Sequence, residues 1–194
     1  MKKIFPLFLL SLFALNNIGC TPANVLATGG ATTMVVAEGD RSFGTVVDDA
    51  TIKVNIASKF ISSDDNLFIN INSTVLEGRV LLTGLVENQE IRIDAVRRVW
   101  EINGVQEVIN EIEVGDKTTL KEYSQDLWIN TQVKGVAAKT LGLRALSYNF
   151  ETIRGKVYVA GIISKKELLD QLINSIKNIK GVKEIVNYVI INED

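Results

Sequence analysis

Val75-Leu76-Glu77-Gly78-Arg79-Val80-Leu81-Leu82-Thr83-Gly84-Leu85-Val86 returns 77 residues later as Thr152-Ile153-Arg154-Gly155-Lys156-Val157-Tyr158-Val159-Ala160-Gly161-Ile162-Ile163. In each stretch a residue–glycine pair separates two apolar runs, and a second glycine stands near the end of the second run. Glycine supplies the positive φ of a tight turn, so each stretch predicts the heart of a β-hairpin. Working outward, the same offset carries Gly104-Val105 onto Gly181-Val182 and Asn110 onto Asn187, so residues 49–114 and 126–191 are one module used twice. The fixed points are turn glycines and apolar strand residues, with no reactive side chain among them. Such a repeat points to a binding scaffold before an active site.

The periods around each hairpin complete the module. Asp48 and Asp49 precede Ile52, Ile56 and Phe60, which predicts a helix with one apolar face and carboxylate caps at its positive end; Asp126 precedes Ile129, Val133 and Ala137 in the same way. Alternation predicts first strands over residues 69–76 and 146–153, and second strands over 80–86 and 157–163. A second helix follows, with the stripe Ile91, Ala95, Val99, Ile102 in one copy and Leu168, Leu172, Ile176, Ile179 in the other. Ser164 and Glu167 have capping-box spacing at the start of the latter. Gly104 and Gly181 end these helices, and residues 105–114 and 182–191 read as closing strands. The expected class is α+β: two tandem αββαβ modules, each a three-stranded mixed sheet covered on one face by two helices.

The first residues address the chain. Met1-Lys2-Lys3 is a short cationic region, and residues 4–15 form an apolar run of twelve. At 1.5 Å per residue a helix of that length spans about 18 Å, short of a hydrocarbon core of about 30 Å, so the run reads as a signal peptide over 1–19. Cys20 is the only cysteine. Asn17-Ile18-Gly19-Cys20 resembles the lipobox of bacterial lipoproteins, with Asn17 where leucine is usual, and that resemblance implies acylation of Cys20. Thr21, which is not aspartate, implies by the same resemblance the outer membrane. Residues 20–47 are expected to tether the lipid to a first domain at 48–114, and a short polar linker at 115–125 leads to a second at 126–192.

The αββαβ order, the glycine before a valine-rich strand and the Gly-Val pair opening the last strand resemble the BON domain, named for bacterial osmotic-shock protection and nodulation proteins. The runs at residues 40–49 and 126–131, together with Cys20, resemble dual-BON outer-membrane lipoproteins. This implies a periplasm-facing lipoprotein that binds phospholipid, anionic lipid above all, and supports envelope integrity without catalysis.

Composition agrees with a non-catalytic reading. Of 194 residues, 46% are hydrophobic and none is histidine, which removes the usual general base, zinc ligand and pH switch together. No phosphate-loop pattern accompanies Gly78 and Gly84, so no nucleotide, cofactor, metal or small-molecule substrate is expected, and a net negative balance excludes nucleic acid. The adjacent Asp48-Asp49 pair reads as caps before it reads as an acid–base pair. Arg97 and Arg98 read as surface ion-pair partners of Glu90, Asp94 and Glu101, and Trp100 as covering the core edge.

The copies differ in charge. Residues 49–114 hold six cationic against eleven anionic side chains, a balance of −5, whereas residues 126–191 hold ten against five, a balance of +5. A basic module gains about 1 kcal/mol per well-placed cation near anionic headgroups. Trp128 falls on the repeat position of Thr51, off the core stripe, either exposed at a membrane interface or packed between the modules. Trp128, Lys134 and Lys139 are therefore the candidate lipid-contacting residues. The competing reading is an interaction module whose acidic first copy docks an envelope assembly or division complex.

Overall fold

The computed structural model describes residues 43–63 and 66–192. The first copy runs α1 (Phe43–Ile61), α2 (Leu67–Asn70), β1 (Ile71–Leu76), β2 (Arg79–Val86), α3 (Gln89–Trp100) and β3 (Glu107–Val114). The second runs α4 (Leu120–Leu141), a 3-10 segment (Gly142–Ser147), β4 (Asn149–Ile153), β5 (Lys156–Ile163), α5 (Lys166–Lys177) and β6 (Glu184–Ile191). Each sheet is mixed, as the repeat predicts. β1 pairs antiparallel with β2 and β2 parallel with β3, and β4, β5 and β6 pair the same way. At the hairpins both turn residues have positive φ, 54° and 74° at Glu77-Gly78 and 51° and 82° at Arg154-Gly155. That is the two-residue turn whose twist suits paired strands.

Alternation sorts the strand side chains into two layers. In β2, Val80, Leu82 and Val86 face α1 and α3, packing with Ile52, Ile56, Phe60, Ala95 and Val99. In β5, Val157, Val159 and Ile163 do the same with Ile129, Val133, Ala137, Leu172 and Ile176. The opposite faces are not left to water. Leu76 and Leu81 of one sheet pack with Ala160 of the other, flanked by Ile109, Tyr188 and Ile190. The two sheets therefore meet through the faces their helices leave bare, which is why β2 and β5 are apolar at nearly every position. Charge crosses the same seam: Lys156 of the second copy lies 3.7 Å from Glu113 and 4.0 Å from Glu111 of the first, and the Tyr188 hydroxyl donates to Glu111. Burial and that hydrogen bond push the Tyr188 hydroxyl up to about 12.

Several local expectations are corrected. α1 begins at Phe43 and α4 at Leu120, so Asp49 and Asp126 lie inside their helices and are not caps. The cap of α4 is Thr119, which forms a complete capping box with Glu122 inside the stretch expected as linker. The Thr119 hydroxyl and backbone N–H hold the Glu122 carboxyl below its usual range. Ile69 and Leu146 are not strand residues: they sit in α2 and the 3-10 segment and are exposed. α5 starts one residue later than the Ser164/Glu167 spacing requires, with Lys165 at the N-cap. Trp100, expected over the core edge, is 51% exposed.

Candidate functional site

The site is built on the first helix of the second copy, and what fixes that helix is Asp126. One carboxylate oxygen accepts from the N–H of Arg154 at 2.7 Å and the other from the N–H of Gly155 at 2.8 Å, so the helix is clamped to the hairpin turn. Asp49 does the same to Glu77 and Gly78, both at 2.9 Å. Both aspartates are buried. Hydrogen bonds to a buried carboxylate are the strong kind, and they satisfy two turn amides that would otherwise be orphaned. The signal was present in the sequence, an aspartate 28 and 29 positions before the two turn residues that donate to it, but its place before an apolar stripe made it look like a cap. Arg154 extends the clamp by donating from its guanidinium to the Asp116 carbonyl at 2.7 Å, tying the linker to the same turn.

With Asp126, Ile129, Val133, Ala137 and Leu141 buried, α4 turns its opposite side to solvent. Trp128 lies there, 48% exposed. Lys139, three turns on, and Lys121, two turns back, are exposed on the same face at about 100° per residue. Lys134 is exposed but lies about 120° around the helix from Trp128. Its field falls on Glu151 of β4, whose carboxyl burial pushes up while Lys134 draws it down. The structure thus brings Trp128 and Lys139 to one face and sends Lys134 to another. Cys20 lies outside the described residues.

The repeat exposes further residues at this end of the molecule. In copy one Thr51, Asn103 and Gln106 line a cleft of about 530 Å³ with Asp48 and Glu77. Their counterparts in copy two are Trp128, Lys180 and Lys183, with Gln125 and Arg154 in place of the two carboxylates. A polar, anionic corner in one module is an aromatic, cationic corner in the other. Lys180 and Lys183 stand 52 and 55 residues from Trp128, and only the repeat register connects them to it.

Copy one has a different exposed surface. Val54 and Ile61 of α1 and Ile93 and Trp100 of α3 stand more than half exposed on the outer side of the helical layer. Of the expected surface ion pairs, those with Asp94 and Glu101 are present among them: Arg97 meets Asp94 and Glu101, and Arg98 meets Asp94. The Arg98 guanidinium holds the Asp94 carboxyl below the usual range, with Arg97 assisting. No described helix is long and apolar enough to cross a membrane.

This architecture matches a known family. The BON domain model matches residues 48–116 and again 125–193. A protein of Anaplasma centrale, described as an uncharacterized protein in gshII 5'region, is 38% identical over 74% of this chain and 94% of its own. The outer membrane lipoprotein DolP of Haemophilus influenzae is 28% identical, covering 87% of this chain and 86% of its own, and the 21 kDa hemolysin of Actinobacillus pleuropneumoniae is 30% identical, covering 77% and 78%. The chain belongs to the BON-domain family, with two copies of the domain.

Proposed function

We propose that this is a non-enzymatic lipoprotein of the outer membrane, acylated at Cys20 and facing the periplasm, whose second BON domain binds anionic phospholipid and so supports membrane integrity. The relative named as an outer membrane lipoprotein supports the address. The observation that carries the lipid reading is Trp128: a half-exposed indole on the solvent face of α4, in line with Lys121 and Lys139, in the module whose charge balance is +5. An indole at the headgroup level with cations beside it is the arrangement that settles at an interface. Trp128 and Lys139 make the contact, and Lys134, on another flank, adds long-range attraction only. The domain limits follow the repeat: leader over 1–19, tether over 20–47, and two binding modules.

Flotation of the full chain carrying Cys20→Ala with liposomes of anionic and of zwitterionic lipid tests this. Binding to the anionic liposomes, weakening with salt and lost on Trp128→Glu, is expected. Equal binding by the Trp128→Glu variant sinks the placement.

A second reading has its own observation. The exposed Val54, Ile61, Ile93 and Trp100 suit the first BON domain to a protein partner of the envelope, an assembly or division complex, while the second domain holds the membrane. Loss of co-purification with envelope proteins in a Trp100→Glu variant that still floats with liposomes is the expected separation of the two surfaces.

A further inference from the structure

A cleft of about 470 Å³ opens where the first module, the linker and the second module meet, on a side of α4 away from Trp128. That volume is within the range of about 300–1,000 Å³ typical of ligand sites. Its walls hold two buried polar atoms without a hydrogen-bond partner: the Asn130 side-chain oxygen and the Thr152 hydroxyl. Thr152 is only 7% exposed. Buried polar atoms are nearly always satisfied, so two orphans beside one cleft mark a place where the fold leaves its own polar groups unsaturated.

The shape of the wall says what enters. Glu151, Thr152 and Ile153 line the cleft in succession. Successive side chains of a strand point to opposite faces, so three in a row border one space only where the strand presents its edge. β4 is the outermost strand of its sheet and pairs only with β5, so its other edge has no strand partner. At the mouth, Ile69 and Leu127 are 79% and 56% exposed, an apolar pair with nothing over it among the described residues.

We infer that the cleft receives an extended polypeptide segment of a partner protein, which adds as a further strand to the free edge of β4. Its backbone meets the β4 edge, and an apolar side chain seats between Ile69 and Leu127. A basic side chain suits the segment as well. The Glu151 carboxyl, raised by burial, has Lys134 and Asp126 as its charged neighbours, and an incoming cation would offset the desolvation. Lys117 at the rim is already engaged by Glu87 at 2.8 Å and leaves the entrance open to a cation.

The test is selection of a phage-displayed library of random nine-residue peptides on the full chain, followed by affinity measurement of the enriched peptides and amide exchange of the bound protein. Enriched peptides are expected to alternate apolar and basic residues and to protect the amides of residues 151–153. They should bind an Ile69→Ser/Leu127→Ser variant, altered only at exposed positions, at least tenfold more weakly. Trp128→Glu should leave peptide binding unchanged while removing binding to anionic vesicles, so the cleft and the lipid reading fail separately. The inference is overturned if no peptide is enriched above background, if the double variant binds enriched peptides equally, or if anionic vesicles alone, and no peptide, protect the β4 edge.

Discussion

The two copies share a backbone plan and present opposite surfaces. Copy one keeps Thr51 where copy two has Trp128, and its exposed Val54, Ile61, Ile93 and Trp100 become Thr131, Ala138, Asp170 and Lys177 in copy two. Copy one is thus acidic with an apolar outer helical face, and copy two basic with a polar one carrying a single indole. Duplication kept what folds the module and freed what it shows to its surroundings. The difference locates function better than the similarity does.

The two copies should differ most in stability at the glycine near the end of each second strand. A Cβ on Gly84, at φ +152°, would lie 2.2 Å from the Asn70 carbonyl oxygen, whereas one on Gly161 would first meet the ring of Tyr148 at 2.5 Å. At Gly84 the obstacle is backbone and the positive φ adds strain, whereas at Gly161 the buried Tyr148 ring, its hydroxyl donating to the Ile162 carbonyl, would have to shift. Gly84→Ala is expected to cost about 3 kcal/mol or more and Gly161→Ala about 1–2 kcal/mol, read as denaturation midpoints; equal losses would show that both copies are equally tight there.

Next in size are the clamps, which should behave alike. Asp49→Ala and Asp126→Ala each orphan two turn amides and should each cost about 2–3 kcal/mol, measured by the same unfolding curves. A much smaller loss in either copy would show that its turn is held by other means.

Binding comes third. Trp128→Thr should weaken association with anionic liposomes about tenfold, a change of about 1.4 kcal/mol, while Thr51→Trp should add little, because its surroundings are acidic. Restored binding from Thr51→Trp in the Trp128→Thr background would mean that the indole alone, without the charge of copy two, decides.

The smallest effect is at Glu151, which has no acidic counterpart in copy one, where Thr74 stands. Burial raises its folded pKa. Its proton is therefore held more tightly in the fold, so stability is greatest below the unfolded value near 4.3 and is lost as pH rises through the folded one. Glu151→Gln should stabilise the chain by less than about 1 kcal/mol at pH 7 and leave it unchanged near pH 3, by thermal unfolding at the two pH values.

How far the sequence could be read follows from the same residues. Ile52-Ile56-Phe60 and Ile129-Val133-Ala137 form the helical faces their spacing announces, because a period of apolar residues is a local property. Asp49 was legible as important but not as a clamp, since its partners lie 28 and 29 residues away across a turn. Ile69 alternates correctly for a strand, yet α2 precedes β1 and leaves it at the surface. Trp100 suggests a core residue by its apolar bulk and its place beside Val99, although it stands off the stripe. Its exposure becomes visible only once Ala95 and Val99 define the buried side of α3. The β4 cleft was beyond reach, being made of residues from both modules and the linker.

One contact at the seam says more than its strength. Glu111 and Tyr188 occupy the same position in the two copies, 77 residues apart, and they touch each other. In a two-fold assembly a residue meets its own counterpart only on the symmetry axis, so this contact is the one expected if the two modules are arranged like the subunits of a homodimer. Two identical subunits would set glutamate against glutamate or tyrosine against tyrosine at that spot. Joining them in one chain let the two sides of the axis differ, so the pair became a donor and an acceptor. Severing the peptide between residues 115 and 119 should accordingly leave the halves associated, held by the sheet-to-sheet seam without its tether.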